Sequence, residues 1–309
     1  MGTSRWEMTG IAAAAASTVI GGAGVVATRH VIAATDAATL GALRYGIGAL
    51  CLVSLAALTG MPRPRGRDAM TVALLGVLFF TAFSWLFNEA LRHTTAAHGS
   101  LALSTVPFLT LVLAVGLRRE ALTARKAAGV AAAMAGVALA LADRATAALP
   151  EGYWRGDLMM IAAALCGALY NVLSLPYLAA LPALAYTAWG MLAGALAMAG
   201  LAAVTGSPAR ILAFDPGTWA SVAFLGVLGG ALAFWLWSFG LERTTPTRVA
   251  ISVTVNPITA SLVGAALLDE PLRWNLVGGI VTVFAGIWIA TTAGRRPALA
   301  TPLSRAPVD

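Results

Sequence analysis

The sequence predicts an all-helical integral membrane protein of ten transmembrane helices, arranged as two inverted five-helix repeats, and three observations carry that reading. Hydrophobic residues fill 59% of 309 positions and charged residues only 11%, far from the roughly quarter-charged mix of a soluble domain. The apolar residues gather into ten runs close to the length of about 20 that crosses a hydrocarbon core. The last three helices of each half also resemble each other without a gap at an offset of 150 residues.

Taken in order, the spans lie near 8–28, 37–58, 69–90, 95–116, 124–141, 157–178, 183–204, 217–239, 246–266 and 273–292, bounded by charges or by Pro and Gly breaks. The first has only Arg5 ahead of it and is longer than a signal-peptide core, so it reads as a retained span. Its Gly21, Gly22 and Gly24 suit close packing or a bent gate. The second carries Arg44 inside apolar sequence, where an ionised group is expensive unless paired or hydrated. The third has Thr81, Ser84, Asn88 and Arg92 at helical spacing, with Trp85 beside them, a stripe that faces protein or water rather than lipid.

The fourth opens near His98, with Thr105 on the same face and Pro107 within the span; the ninth holds Pro257 at the matching position, with Asn256 just before it. A proline inside a helix frees a carbonyl, and the pairing across the repeat favours a symmetric hinge. The sixth presents Tyr170, Ser174 and Tyr177 on one face, with Asn171 adjacent. Gly190 with Gly194, and Gly226 with Gly230, have the spacing that brings membrane helices together. Cys51 and Cys166 fall in apolar runs and read as inert buried thiols. Glu120 and Glu270 precede the fifth and tenth spans and are expected to complete their first turns.

Charge sets the orientation. With the N-terminus in the cytoplasm, thirteen of the twenty Lys and Arg fall inside and six outside, Arg44 being the twentieth, which favours both termini cytoplasmic in an inner membrane. A charge of +7 spread in ones, twos and threes between apolar runs is not a nucleic-acid face.

The offset matches Leu75-Gly76-Val77-Leu78 with Leu225-Gly226-Val227-Leu228, Trp85-Leu86 with Trp235-Leu236, and Thr94-Thr95 with Thr244-Thr245. Pro107 meets Pro257, Glu120 meets Glu270, Gly129 meets Gly279 and Gly136 meets Gly286. Five helices per copy is an odd number, so the second copy enters from the opposite side. The expected division is 1–142 for the first repeat, 143–155 for a connecting loop, 156–294 for the second repeat and 295–309 for a cytoplasmic tail.

These residues resemble the ten-helix EamA-type exporters of the drug/metabolite transporter superfamily. The likeness rests on Leu43-Arg44-Tyr45 and on two copies of a longer pattern. One is Glu89-Ala90-Leu91, Thr94-Thr95, Ser104-Thr105-Val106-Pro107, Arg119-Glu120 and Gly129 to Gly136. The other is Gly240-Leu241, Thr244-Thr245, Val255-Asn256-Pro257, Asp269-Glu270-Pro271-Leu272 and Gly279 to Gly286. The family often opens with a Trp-Gly pair in the first span, and Ile20-Gly21-Gly22-Ala23-Gly24 stands there instead. The resemblance implies a central cavity, secondary-active efflux of small metabolites and cytoplasmic termini; amino-acid exporters, including those for aromatic and other neutral ones, form a well-populated branch.

Within that frame Arg44 either meets a substrate carboxylate or closes an outer gate with Glu89; a structural pair and a side chain snorkelling to the outer headgroups are the other readings. A histidine is the side chain able to change charge near neutral pH, which makes His98 a candidate for proton coupling, an interfacial histidine being the alternative. Trp85, Tyr170 and Trp235 would border the cavity, suiting a neutral solute with an apolar side group; packing against lipid or neighbouring helices is the alternative. The expected function is alternating-access export of small neutral metabolites, amino acids foremost, with multidrug export on the same fold as the alternative. A passive channel and an intramembrane enzyme are the rival classes. An enzyme needs a catalytic constellation, and His30, His93 and His98 lack metal-ligand spacing, no Walker loop is present, and neither cofactor nor metal is expected. The sequence leaves the oligomeric state open.

Overall fold

The computed structural model describes residues 5–90, 92–94, 96–142, 152–268 and 274–292. Glu270, the tail 295–309 and the side chain of His98 lie outside the described residues.

Among these residues helical backbone runs in ten main stretches, with a short 3₁₀ helix at Pro208–Ala213 between the seventh and eighth. They are α1 (Arg5–Ile32), α2 (Ala37–Leu58), α3 (Gly66–Ala90), α4 (Ala96–Leu103 continued by Val106–Gly116), α5 (Ala124–Ala140), α6 (Tyr153–Leu178), α7 (Ala183–Thr205), α8 (Pro216–Arg243), α9 and α10 (Trp274–Thr291). α9 is composite: Pro246–Ala250, a 3₁₀ turn Ile251–Thr254, then Val255–Leu268. Helix is what the composition demands, because in hydrocarbon every backbone polar group has to be satisfied within its own segment. The starts follow local chemistry. Asp36 accepts from the backbone N–H groups of Ala38 and Thr39 at α2, Thr123 from Lys126 at α5, and Asp215 from Gly217 and Thr218 at α8.

Eight of the ten are long and apolar enough to cross a membrane. The other two are α5, whose 17 residues span about 26 Å at the α-helical rise, and α9, interrupted by its 3₁₀ turn. α6 begins at Tyr153, so part of the stretch 143–155 expected to be a connection is helical.

The repeat reappears in the backbone. α3 and α8 each run eleven α-helical residues, Gly66–Gly76 and Pro216–Gly226, and then widen into a π segment, Val77–Phe83 and Val227–Leu232, at the same register. Such widenings leave carbonyls without their usual intrahelical partner and gather at functional sites.

Glycine sets the crossings. In α5 and α10, Gly129 packs on Gly286 and Ala290 while Gly136 packs on Gly279 and Val283, so the two helices run antiparallel. A Cβ at Gly129 would stand 2.7 Å from the Gly286 carbonyl oxygen, and one at Gly279 2.6 Å from that of Gly136. Since 129 and 279, and 136 and 286, are repeat mates, the contact maps onto itself under the offset. At the α3–α7 crossing a methyl on Gly76 would collide with the Gly190 backbone, and its mate Gly226 lies against Ile47 of α2.

The helix breaks differ from the expectation of prolines inside continuous helices. α4 is interrupted at Ser104–Thr105 and α9 at Ile251–Thr254, and Pro107 and Pro257 stand in the first turn of the segment that follows, where proline fits without loss of a bond. Hydroxyls take up the carbonyls of these breaks: Ser104 Oγ donates to Leu101, Thr105 Oγ1 to Ala102, and Thr254 Oγ1 to Ile251. Cys51, expected buried, is exposed on α2, and Cys166 is half-buried.

The core between α2, α3, α6, α7 and α8 is aromatic. Phe79 stacks on Tyr170 at 4.3 Å between ring centroids; Phe80 meets Phe234 edge-on at 5.2 Å, and Tyr45 contacts both Phe80 and Phe234.

Candidate functional site

Arg44, the eighth residue of α2, sits at the rim of this aromatic core. Its guanidinium carbon lies 5.5 Å from the Tyr45 ring centroid and 5.8 Å from that of Phe234, within cation–π range. Nη2 donates to the carbonyl of Gly229 at 2.8 Å. Gly229 belongs to the π segment of α8, so the wide turn supplies an acceptor at membrane depth. Nε is buried with no acceptor, and no carboxylate among the described residues lies within ion-pair distance of Arg44. An arginine offers five donors in a planar fork; here one is used by a neutral carbonyl and another is buried unmet. The arrangement is incomplete for a cation and complementary to a carboxylate.

The expected partner is engaged elsewhere. Glu89, half-buried at the end of α3, bonds Arg92 at 3.2 Å and approaches His93 at 3.5 Å, so the Arg44–Glu89 gate is not formed. Of the polar stripe, Thr81 and Ser84 face protein, while Arg92 is exposed in the turn after α3. Thr81 donates to the carbonyl of Gly194 on α7, and Ser84 is hydrogen-bonded to the Tyr45 hydroxyl. Asn88 is half-buried on the same helix.

Tyr170, expected at a cavity wall, is 2% exposed and packed between Phe79 and Tyr186, with its hydroxyl 3.5 Å from Ser238 Oγ. Trp85 packs against the cluster of Ala38, Met198 and Ala202 that joins α2 and α7. Trp235 packs beside Phe239 on α8. Thr105 spends its proton on its own helix break. Asn256 lies against Gly21, a Cβ at that glycine falling 3.2 Å from its Oδ1, and Oδ1 is buried without a donor. The structure therefore joins Arg44 and Tyr170 through one aromatic cluster, by way of Phe234 and Phe79, while the Thr105 hydroxyl is bonded within α4 and the two tryptophans pack outside that ring-to-ring path.

Sequence reasoning passes over a second polar group. Trp237 Nε1 donates to Asn171 Oδ1 at 3.0 Å, and Asn171 Nδ2 donates to Thr110 Oγ1 at 3.3 Å, all three buried. This chain ties α8, α6 and α4 beneath the aromatic core. An asparagine within an apolar run is its only signal.

Ionic ties close both ends of the bundle. At one end Glu7 pairs with Arg248 at 3.3 Å, and Glu120 accepts from Lys126 Nζ and from the backbone N–H of Thr247 on α9. Glu120 thus reaches across to α9 rather than completing the first turn of α5, where Thr123 already serves. Glu242 accepts from the N–H of Ala183, Arg243 covers Trp6 at 4.2 Å and Arg63 covers Trp189 at 5.5 Å. These contacts gather the basic residues of the N-terminus, the α2–α3, α4–α5 and α8–α9 connections at that end. At the other end Asp36 accepts from Ser207 N–H, and Thr94 donates to Asp157. Burial pushes the Asp36 carboxyl up, but the N–H groups of Thr39 and Ser207 and the Thr39 hydroxyl outweigh it, holding the group below its ordinary value.

A sequence model described as the EamA-like transporter family matches residues 8–142 and again 154–292. A probable terminal-alkyne amino-acid exporter of Streptantibioticus cattleyicolor is 27% identical, over 84% of this chain and 86% of its own. An uncharacterized transporter of Archaeoglobus fulgidus is 30% identical over 75% of this chain and 79% of its own. A protein crystal structure shares the fold with a TM-score of 0.80 at 21% identity, covering 92% of this chain and 96% of the other.

Proposed function

Because this chain belongs to the EamA-like transporter family, we propose that the multi-pass membrane transporter it forms exports small neutral metabolites, amino acids foremost, by alternating access. The observation that carries the reading is Arg44, with one donor on Gly229, a buried Nε without an acceptor and two aromatic rings flanking the guanidinium. A substrate carboxylate would complete the fork, and the adjoining Phe79, Phe80 and Phe234 would receive an apolar or aromatic side group. Similarity to the probable terminal-alkyne amino-acid exporter of Streptantibioticus cattleyicolor supports the amino-acid class.

The self-mapping antiparallel contact of α5 with α10 supports an inverted pair, since helices that exchange across a two-fold axis run antiparallel only when that axis lies in the membrane plane. In that reading α5 and α9 cross as well, giving ten spans. The matched breaks of α4 and α9 serve as pivots, and the basic end is cytoplasmic. His98 remains the candidate for proton coupling on the strength of its sequence position.

Counterflow in proteoliposomes tests this. Saturable exchange of a labelled neutral amino acid, competed by several other neutral amino acids, is expected. At equal reconstituted amounts Arg44→Ala should lose at least about tenfold, equivalent to about 1.4 kcal/mol, and Arg44→Lys should recover part of it. Wild-type exchange in both variants would remove Arg44 from the site. Competition by lipophilic cations alone would favour multidrug export, and unsaturable flux would favour a channel.

A further inference from the structure

A groove that the transport reading does not use lies between α4 and α5. Phe108, Leu111, Val112 and Val115 form one wall, Val130 and Met134 the other, around a volume of about 750 Å³. That is within the range of small-ligand sites, about 300–1,000 Å³. The walls are hydrocarbon, so a polar solute would lose its hydration there without compensation. Phe108 and Val112 are about half exposed, and the groove therefore opens sideways, toward the bilayer.

Its far end, at Gly116, Leu122 and Ala127, runs into the α4–α5 connection. Arg118, Arg119 and Arg125 stand exposed there, and none is paired with a carboxylate among the described residues. The neighbouring Lys126 behaves oppositely, buried and bound to Glu120 Oε2 and the Ala121 carbonyl. Arg118 also adopts a left-handed backbone at φ 54°, a conformation that glycine or asparagine enters far more easily. Its N–H donates to the Val115 carbonyl and that of Arg119 to the Ala114 carbonyl, so the left-handed residue closes the end of α4.

We propose that the groove binds an anionic phospholipid, with one acyl chain lying along Phe108, Val112 and Met134 and the headgroup phosphate held by Arg118, Arg119 and Arg125. Guanidinium forks match phosphate oxygens in pairs, and basic pockets beside membrane helices are where anionic headgroups lodge. The same connection holds Glu120, whose bond to Thr247 N–H joins it to α9. Lipid occupancy therefore stiffens the tie between the two halves at this end.

The full chain, delipidated in detergent and titrated with phosphatidylglycerol or phosphatidylcholine, tests this by native mass spectrometry and by thermal midpoint. One phosphatidylglycerol should remain bound per chain and raise the midpoint, while phosphatidylcholine does neither. The combined Arg118→Gln, Arg119→Gln and Arg125→Gln variant should weaken phosphatidylglycerol retention at least tenfold. The parallel Arg63→Gln, Arg65→Gln and Arg67→Gln variant, at another connection of the same end, should leave it unchanged. Ala131→Trp, which fills the groove from an exposed position of its wall without touching the arginines, should also abolish the adduct. Equal retention of both lipids, equal loss in the two arginine variants, or a dimer cross-linked through Val112 would overturn the proposal, the last by assigning the groove to a second copy.

Discussion

At Asp36 one carboxylate holds two elements, accepting from Ala38 and Thr39 at the start of α2 and from Ser207 after α7. Its folded pKa is lowered, so its contribution is fully present above the unfolded value of about 3.9 and is lost as pH falls through the folded one. Asp36→Asn keeps one acceptor but removes the anionic oxygen used by Ser207 N–H and the Thr39 hydroxyl. At pH 7 it should cost about 1 kcal/mol, the typical worth of a cap, seen as a lower thermal midpoint in detergent. The gap to wild type should shrink below about pH 4, and an equal gap at both pH values would refute the assignment. Residues of this kind differ in legibility. Arg44 is conspicuous in the sequence because a charge interrupts an apolar run, whereas its acceptor is a backbone carbonyl, which no residue letter announces. Asn171 is visible, but its partners Thr110 and Trp237 are set by three helices meeting, and Glu89 is drawn to Arg92 and His93 because those lie within one turn.

Among elements, the glycine-lined crossings are the tightest joints. Gly136→Leu would drive a side chain into the backbone of Val283, 2.7 Å from the Cβ position, and overpacking of this sort costs about 1–3 kcal/mol. Gly46→Ala, with nothing within 4 Å of the added methyl, should be neutral or slightly stabilising from helix propensity. Fluorescence-detected gel filtration of heated samples compares the two, and similar midpoints would contradict the crossing. The helices and their order follow from hydropathy, eight of them long and apolar enough to cross a membrane, and the mates Gly129/Gly279 and Gly136/Gly286 are legible as repeats. That these mates pack reciprocally on each other is a matter of three-dimensional closure. The π segments at Val77–Phe83 and Val227–Leu232 leave no periodic signature, since one extra residue in a turn shifts the pattern less than the spread of apolar residues does. The prolines are visible, but their place after the breaks depends on hydroxyls that capture the carbonyls.

Over the whole molecule, charge and symmetry act together. A fluorescent protein fused to the C-terminus should mature and glow in cells, alkaline phosphatase fused there should be inactive, and a reporter inserted at Ser207 should behave the opposite way. Reversed results would invert the proposed orientation. The reciprocal embrace of α5 and α10 has a further consequence, in the time domain of synthesis. Gly129 and Gly279 leave the ribosome 150 residues apart, which at about 5–20 residues per second is roughly 8–30 s. In the proposed ten-span arrangement α5 would for that interval have its glycine face bare, without the helix that later covers it. A nascent chain stalled before α10 should therefore be the species that a membrane-embedded protease or insertase captures, and the last helix to emerge is the one that ends the exposure.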